Sequence, residues 1–145
     1  MEICLRSATT NDLDFLHFLR DQTMRSYLEQ AGMSVSYDSY QARIKLEFQS
    51  AQIVEVDNQS AGLFKAVYQH ENNHWEIIQI QILPAFQGLG IGSKLITGLI
   101  DTAAKSEAKV GLSVIGSNPA KVLYERLGFQ VIGREGSEYL MELKT

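Results

Sequence analysis

The chain has 145 residues and a formal net charge of -4 at pH 7, a length usual for one domain and enough to bury a core without disulfide staples. Its 45% apolar and 21% charged residues exclude a disordered or fibrous chain, and its negative charge excludes a partner held through phosphate neutralisation, so no nucleic acid is expected. No apolar run approaches the ~20 residues that span a bilayer, and the opening Met1-Glu2-Ile3-Cys4-Leu5-Arg6 lacks a basic start before an apolar core, so a cytoplasmic protein without a membrane partner is expected.

Residues 2–6 alternate as a first strand, and their single cysteine, Cys4, is expected to be a buried, inert thiol. Thr10-Asn11-Asp12 offers a helix cap, with Leu13, Leu16 and Leu19 at helical spacing and the helix running to about Leu28. Gly32 breaks it. Ser36 caps a second helix with Tyr37, Tyr40, Ile44 and Phe48 on one face. Strands at Gln52–Val56 and about Ala61–Tyr68, joined by Asp57-Asn58-Gln59-Ser60, form a hairpin. After the polar turn His70–Asn73, the isoleucine-rich strand Trp75–Leu83 is stopped by Pro84.

The turn Gln87-Gly88-Leu89-Gly90-Ile91-Gly92 leads into an amphipathic helix with Leu95, Ile96, Leu99, Ile100 and Ala103 on its apolar face. Val110–Ile115 is a short strand. Asn118-Pro119 starts a last helix, with proline at the first helical position, and Gly128 closes it. Strands at about Gln130–Gly133 and Tyr139–Leu143 flank the turn Glu135-Gly136-Ser137. With no linker or repeat, residues 1–145 read as a single domain. The order is that of an α/β fold around a mixed sheet. His17, His70 and His74 are too scattered to hold a metal, and none is expected.

A glycine cluster between strand and helix lets backbone approach a ligand, and the free N–H groups of the helix start favour a pyrophosphate. A dinucleotide fingerprint counted from Gly88 would end on glycine but meets Ser93. A P-loop would end Gly-Lys-Ser/Thr, but Lys94 follows Ser93 and precedes Leu95. Both fail.

The turn does match a Q/R-x-x-G-x-G/A signature at Gln87, Gly90 and Gly92, preceded by Ile82-Leu83-Pro84. Downstream, Asn118-Pro119-Ala120-Lys121-Val122-Leu123-Tyr124-Glu125-Arg126-Leu127-Gly128-Phe129 matches N-x-A-x-x-L-Y-E-x-L-G-F, and Tyr139-Leu140-Met141 matches Y-x-M. In these blocks, and in element order over nearly the whole chain, the sequence resembles the GNAT superfamily of N-acetyltransferases.

The resemblance implies a GNAT-like fold, a mixed twisted sheet of about six to seven strands flanked by four helices, and transfer of an acetyl group from acetyl-CoA to an amine of a small molecule or peptide. It implies that strands 75–83 and 110–115 splay apart. The pantetheine arm would then pair with backbone at Ile80, Gln81 and Ile82, and the pyrophosphate would sit on the N–H groups of Gly88, Leu89, Gly90, Ile91, Gly92 and Ser93. Asn118 would contact the cofactor or serve as a helix cap. By resemblance Tyr124 is the acid that protonates the departing sulfur; a phenol with a pKa of about 10 is protonated at neutral pH. Glu76, eleven residues before Gln87, is the candidate base. Alternation puts it with Ile78, Ile80 and Ile82, where burial would raise a carboxylate's pKa. Gln79 and Gln81 would line the acceptor pocket or a satisfied hydrogen-bond network. Arg25, Tyr27, Glu29, Tyr37 and Tyr40 on the early helices are acceptor candidates. A homodimer is a further possibility, and the alternative to catalysis is an acyl-CoA sensor or interaction domain of the same fold.

Overall fold

In the computed structural model, which describes residues 1–145, the chain begins with strand β1 (Ile3–Ser7). Thr9 then forms a capping box. Its hydroxyl accepts from Asn11 N–H, and the Asp12 carboxylate accepts from Thr9 N–H at 2.8 Å. Two donors that a helix start leaves orphaned are satisfied in this way. A 3-10 turn at Thr10–Asp12 runs into α1 (Leu13–Gln30), so the cap stands one residue earlier than the sequence suggests. Ser36 caps α2 (Tyr37–Lys45) by accepting from Ser39 N–H at 3.1 Å. This helix is shorter than predicted. Leu46 leaves the helical region, Glu47 has φ 51°, and Phe48 opens a separate 3-10 turn, Phe48–Ser50. The predicted face therefore reduces to Tyr40 and Ile44, which are buried, while Tyr37 is exposed.

Strands β2 (Ala51–Val56) and β3 (Gln59–Gln69) are joined by Asp57-Asn58. Both turn residues have positive φ, 49° and 67°, the conformation a two-residue hairpin needs and Asp and Asn tolerate. A 3-10 turn, His70–Asn72, leads to β4 (His74–Ile82), and Pro84–Phe86 is a 3-10 turn after it. Then come α3 (Ile91–Ala104), β5 (Lys109–Ile115), α4 (Ala120–Arg126), β6 (Gln130–Glu135) and β7 (Glu138–Lys144). Pro119 is the N-cap of α4 rather than its first helical residue, and Gly128 (φ 108°) lies just past its C-cap, Leu127.

The seven strands form one mixed sheet in the order β1-β2-β3-β4-β5-β7-β6. β4 and β5 are parallel, with His74 opposite Lys109 and Ile77 opposite Leu112. That paired register stops there, although β4 continues to Ile82 and β5 to Ile115. Seven strands and four α-helices agree with the expected fold class.

Contacts group the chain into two compact units, Met1–Lys65 with Gln79–Gly92 and Ala66–Ile78 with Ser93–Thr145. In the first, Leu16, Leu19 and Leu28 of α1, Ile44 of α2, Ile53 and Val54 of β2 and Leu63 of β3 are buried. Cys4, expected inside, is exposed. β1 ends the strand order and has a neighbour on one side only, so an apolar stretch there is not enclosed. In the second unit, Ile96, Leu99 and Ala103 of α3 are buried, as are Val110, Leu112 and Val114 of β5, Met141 of β7 and Phe129. The alternation of β4 buries Ile77, Gln79 and Gln81, while Glu76, Ile78, Ile80 and Ile82 lie on its less buried face.

Candidate active site

The first unit contains the turn. Gln87 Nε2 donates to Ile82 O at 2.8 Å, which ties the start of the turn to the end of β4. Gly88 and Gly90 have φ 77° and 78°, where a side chain is strained. An added Cβ at either would meet nothing within 4 Å. Glycine is therefore required by the backbone conformation, and the space beside it is open. Helix geometry leaves the N–H groups of the first turn of α3, from Ile91 to Ser93, without intrahelical partners, and no turn or cap bond uses them. Together with the partial positive charge of a helix start, these donors suit a pyrophosphate.

Just before the turn, β4 comes very close to β3. A Cβ at Gly62 would lie 2.3 Å from Gln81 O and 3.2 Å from Ile82 Cα. Leu83 N–H donates to Ala61 O at 2.8 Å. Gln79 and Gln81 are only 5% and 6% exposed, yet both polar atoms of the Gln79 amide and Oε1 of Gln81 have no hydrogen-bond partner. No protein group supplies these partners. Unpaired buried polar atoms are costly, so each calls for a partner outside the protein, such as a bound water or a ligand.

The acceptor candidates on α1 and α2 are partly committed elsewhere. Arg25 pairs with Asp21 at 2.8 Å and Glu29 at 3.6 Å. Tyr40 donates to Asp21 at 3.0 Å, and burial pushes its phenol up. Tyr37 stacks on His17 with centroids 4.2 Å apart. Tyr27 is half-buried.

The second unit holds the remaining predicted residues. Tyr124, on α4, is 7% exposed and packs edge-on to Phe129 with centroids 6.2 Å apart. Burial pushes its phenol up to about 12, so it is protonated throughout the physiological range and is a donor rather than a base. Asn118 Oδ1 accepts from Ala120 N–H at 3.0 Å, which gives it the capping role and leaves its amide nitrogen for another acceptor. Ser93 lies in the first turn of α3. The Glu76 side chain is 32% exposed, so the isoleucines of its face do not enclose it.

Sequence reading missed His74. Its Nε2 lies 2.9 Å from Glu76 Oε1, and the two share a face because they are two residues apart on a strand. That spacing was the available signal. Gly111 was missed with it: a Cβ there would lie 2.7 Å from the His74 ring and 2.8 Å from Glu76 Oε1. No group of three or more His, Cys, Asp or Glu is arranged to hold a metal ion, and no helix is long and apolar enough to cross a membrane.

Residues 11–141 match the model of a family described as an acetyltransferase (GNAT) domain. No curated protein matches the chain. Among solved structures, a PaiA N-acetyltransferase from Thermoplasma acidophilum in complex with coenzyme A is 19% identical, with both chains covered in full and a TM-score of 0.75. The spermidine/spermine N-acetyltransferase SpeG from Vibrio cholerae is 23% identical over 99% of this chain and 95% of that one, with a TM-score of 0.66. A ribosomal-protein alanine N-acetyltransferase from Escherichia coli is 20% identical over 99% of this chain and 94% of that one, with a TM-score of 0.69. At these identities the likeness is one of fold.

Proposed function

The chain belongs to the GNAT acetyltransferase family, and from that premise we propose that it moves the acetyl group of acetyl-CoA directly to an amine of a small molecule or a peptide. The observation that carries this reading is the junction at Gln87–Gly92. Two glycines there hold left-handed conformations beside open space, directly before a helix start whose N–H groups are unused. These features fit a pyrophosphate, and a protein of the same fold is described in complex with coenzyme A. The acceptors in the names of two relatives, a polyamine and a ribosomal-protein alanine, are both amines.

Acetyl-CoA, when bound, supplies a thioester already activated toward an amine. The residues of the chain then have four tasks. Backbone groups of Ile80, Gln81 and Ile82 hold the pantetheine arm, and an N–H near Ile82 polarises the thioester oxygen. Gly88–Ser93 bind the pyrophosphate, with the Asn118 amide as a further contact. Glu76 takes the proton that the amine must lose. Tyr124 gives a proton to the departing sulfur. No covalent enzyme intermediate is needed, because orienting the two reactants supplies much of the acceleration.

The test is turnover of acetyl-CoA against a panel of polyamines, amino acids, aminoglycosides and peptide N-termini. Free thiol would be followed by a colorimetric reagent and the product by mass. We expect acetylation of at least one amine class. Acetyl-CoA binding with no turnover by any amine would replace this reading with that of an acyl-CoA sensor.

A further inference from the structure

The Glu76 carboxylate is held on one side and free on the other. Its Oε1 is 2.9 Å from His74 Nε2, and no protein group bonds its other oxygen. The parallel register of β4 and β5 places Glu76 opposite Gly111 and His74 opposite Lys109. The pair therefore lies across bare backbone. A Cβ at residue 111 would come within 2.7 Å of both Cε1 and Nε2 of His74 and 2.8 Å of Glu76 Oε1. Any larger residue at this central strand position would occupy the place of the pair.

The surrounding charges leave the pair to itself. Lys109, opposite His74, directs its Nζ to Glu142 Oε1 at 3.8 Å. Glu142 stands opposite Gly111 on β7, and Lys144 stands opposite Lys109. Each lysine is exposed. The side chain of His74 is 14% exposed against 32% for Glu76, so the imidazole is the enclosed partner and the carboxylate is the one that meets solvent or substrate.

We propose that His74 is a positioning residue for Glu76, fixing the carboxylate over Gly111 through Oε1 and leaving Oε2 to take the proton of the acceptor amine. The inference rests on the reading of Glu76 as the base. In this arrangement the Nε2–H tautomer of the imidazole donates to Oε1. The amine N–H proton passes to Oε2, giving a carboxylic acid and a neutral nucleophile, and the acid later releases that proton to water. The imidazole keeps its own proton throughout.

The experiment uses the full chain and four variants: Glu76→Gln, His74→Leu, His74→Gln and Gly111→Ala. Acceptor kcat/KM is measured at neutral pH, with acetyl-CoA affinity and melting temperature on each variant. Glu76→Gln should lose about 10² to 10⁴ in rate. His74→Leu should lose about ten- to a hundredfold, the loss seen when outer-shell partners that orient metal ligands are removed, while acetyl-CoA affinity holds. His74→Gln, which retains an N–H donor, should recover most of the rate. Gly111→Ala should behave like His74→Leu, because it displaces the pair and replaces neither member. A wild-type rate in His74→Leu beside an inactive Glu76→Gln overturns the positioning role alone. Full activity in Glu76→Gln overturns the base assignment and this inference with it. Independently of turnover, nitrogen NMR of the resting chain should show the Nε2–H tautomer of His74, with a resonance that moves in Glu76→Gln; an unmoved resonance also overturns the proposal.

Discussion

The Tyr124 ring is held by packing, and that makes its chemistry separable from its structure. The ring packs edge-on to Phe129 and the residue is buried, and burial is the only cause that shifts its phenol. Tyr124→Phe keeps the ring and removes the proton. We expect kcat to fall by about 10² to 10⁴, the usual loss for a general acid, with acetyl-CoA affinity unchanged. Single-turnover kinetics is the measurement, since slow product release would mask the loss. Tyr124→Ala should in addition cost about 3–5 kcal/mol of stability through the cavity it leaves. The phenol also gives a sign. In the unfolded chain it ionises near 10, while in the fold it is pushed up to about 12. The folded state therefore binds more protons over that interval, and stability falls as pH rises through it. Tyr124→Phe should remove this part of the alkaline loss. The sequence showed Tyr124 and the glycines because each sits inside a contiguous block. It did not show His74, whose relation to Glu76 depends on strand parity and on a glycine in another strand. Cys4 was misjudged for a similar reason, since local hydropathy does not say that a strand lies at a sheet edge.

At the scale of elements, boundaries with a local breaker or cap were legible and the end of α2 was not. Thr9 and Ser36 mark helix starts through side chains adjacent in sequence. The end of α2 has no glycine or proline; it is held by Lys65 from β3. Lys65 is fully buried, and its Nζ donates to Arg43 O at 3.2 Å, Ile44 O at 2.9 Å and also Leu46 O. Carbonyls orphaned at a helix end thereby gain a donor, and a cation there is favoured by the helix dipole. A lysine within a hairpin strand gives no hint of this, because its partners lie some twenty residues away. Burial, and secondarily Arg43 and Arg20, push the Lys65 amine down to about 8 from 10.5. Between those values the unfolded chain carries a proton that the folded chain lacks, so stability rises with pH. The full effect is about 3 kcal/mol at 1.36 kcal/mol per unit. Urea titrations between about pH 7.5 and 10 should show the rise in wild type and not in Lys65→Met. Parallel pH curves for the two proteins would refute the assignment.

For the whole molecule, the order of elements was readable because breakers such as Gly32, Asp57-Asn58 and Pro84 stand where elements change. The sheet order was not, since nothing local dictates that β7 inserts between β5 and β6, nor how contacts divide the chain into two units. Ligand linkage tests the cofactor reading on the intact chain. A ligand at 100 times its dissociation constant that binds only the folded state adds about 2.7 kcal/mol, worth several degrees of melting temperature for a chain of this size. Saturating acetyl-CoA should therefore raise the melting temperature of wild type. Gly90, at φ 78° with open space around its Cα, is the position at which to remove the effect. Valine there is strained by its backbone angle and not by a packing clash, so the helix start must reorganise and its N–H groups lose their aim. Gly90→Val should keep a native far-UV spectrum, melt within a few degrees of wild type, and show no shift with acetyl-CoA. Gly98→Ala, in the interior of α3, also meets no neighbouring atom but has no role in the turn, and it should keep the full shift. An equal shift in Gly90→Val and wild type would move the cofactor away from Gln87–Gly92. Absence of any shift in wild type, with no heat in calorimetry, would leave the family's fold without its ligand.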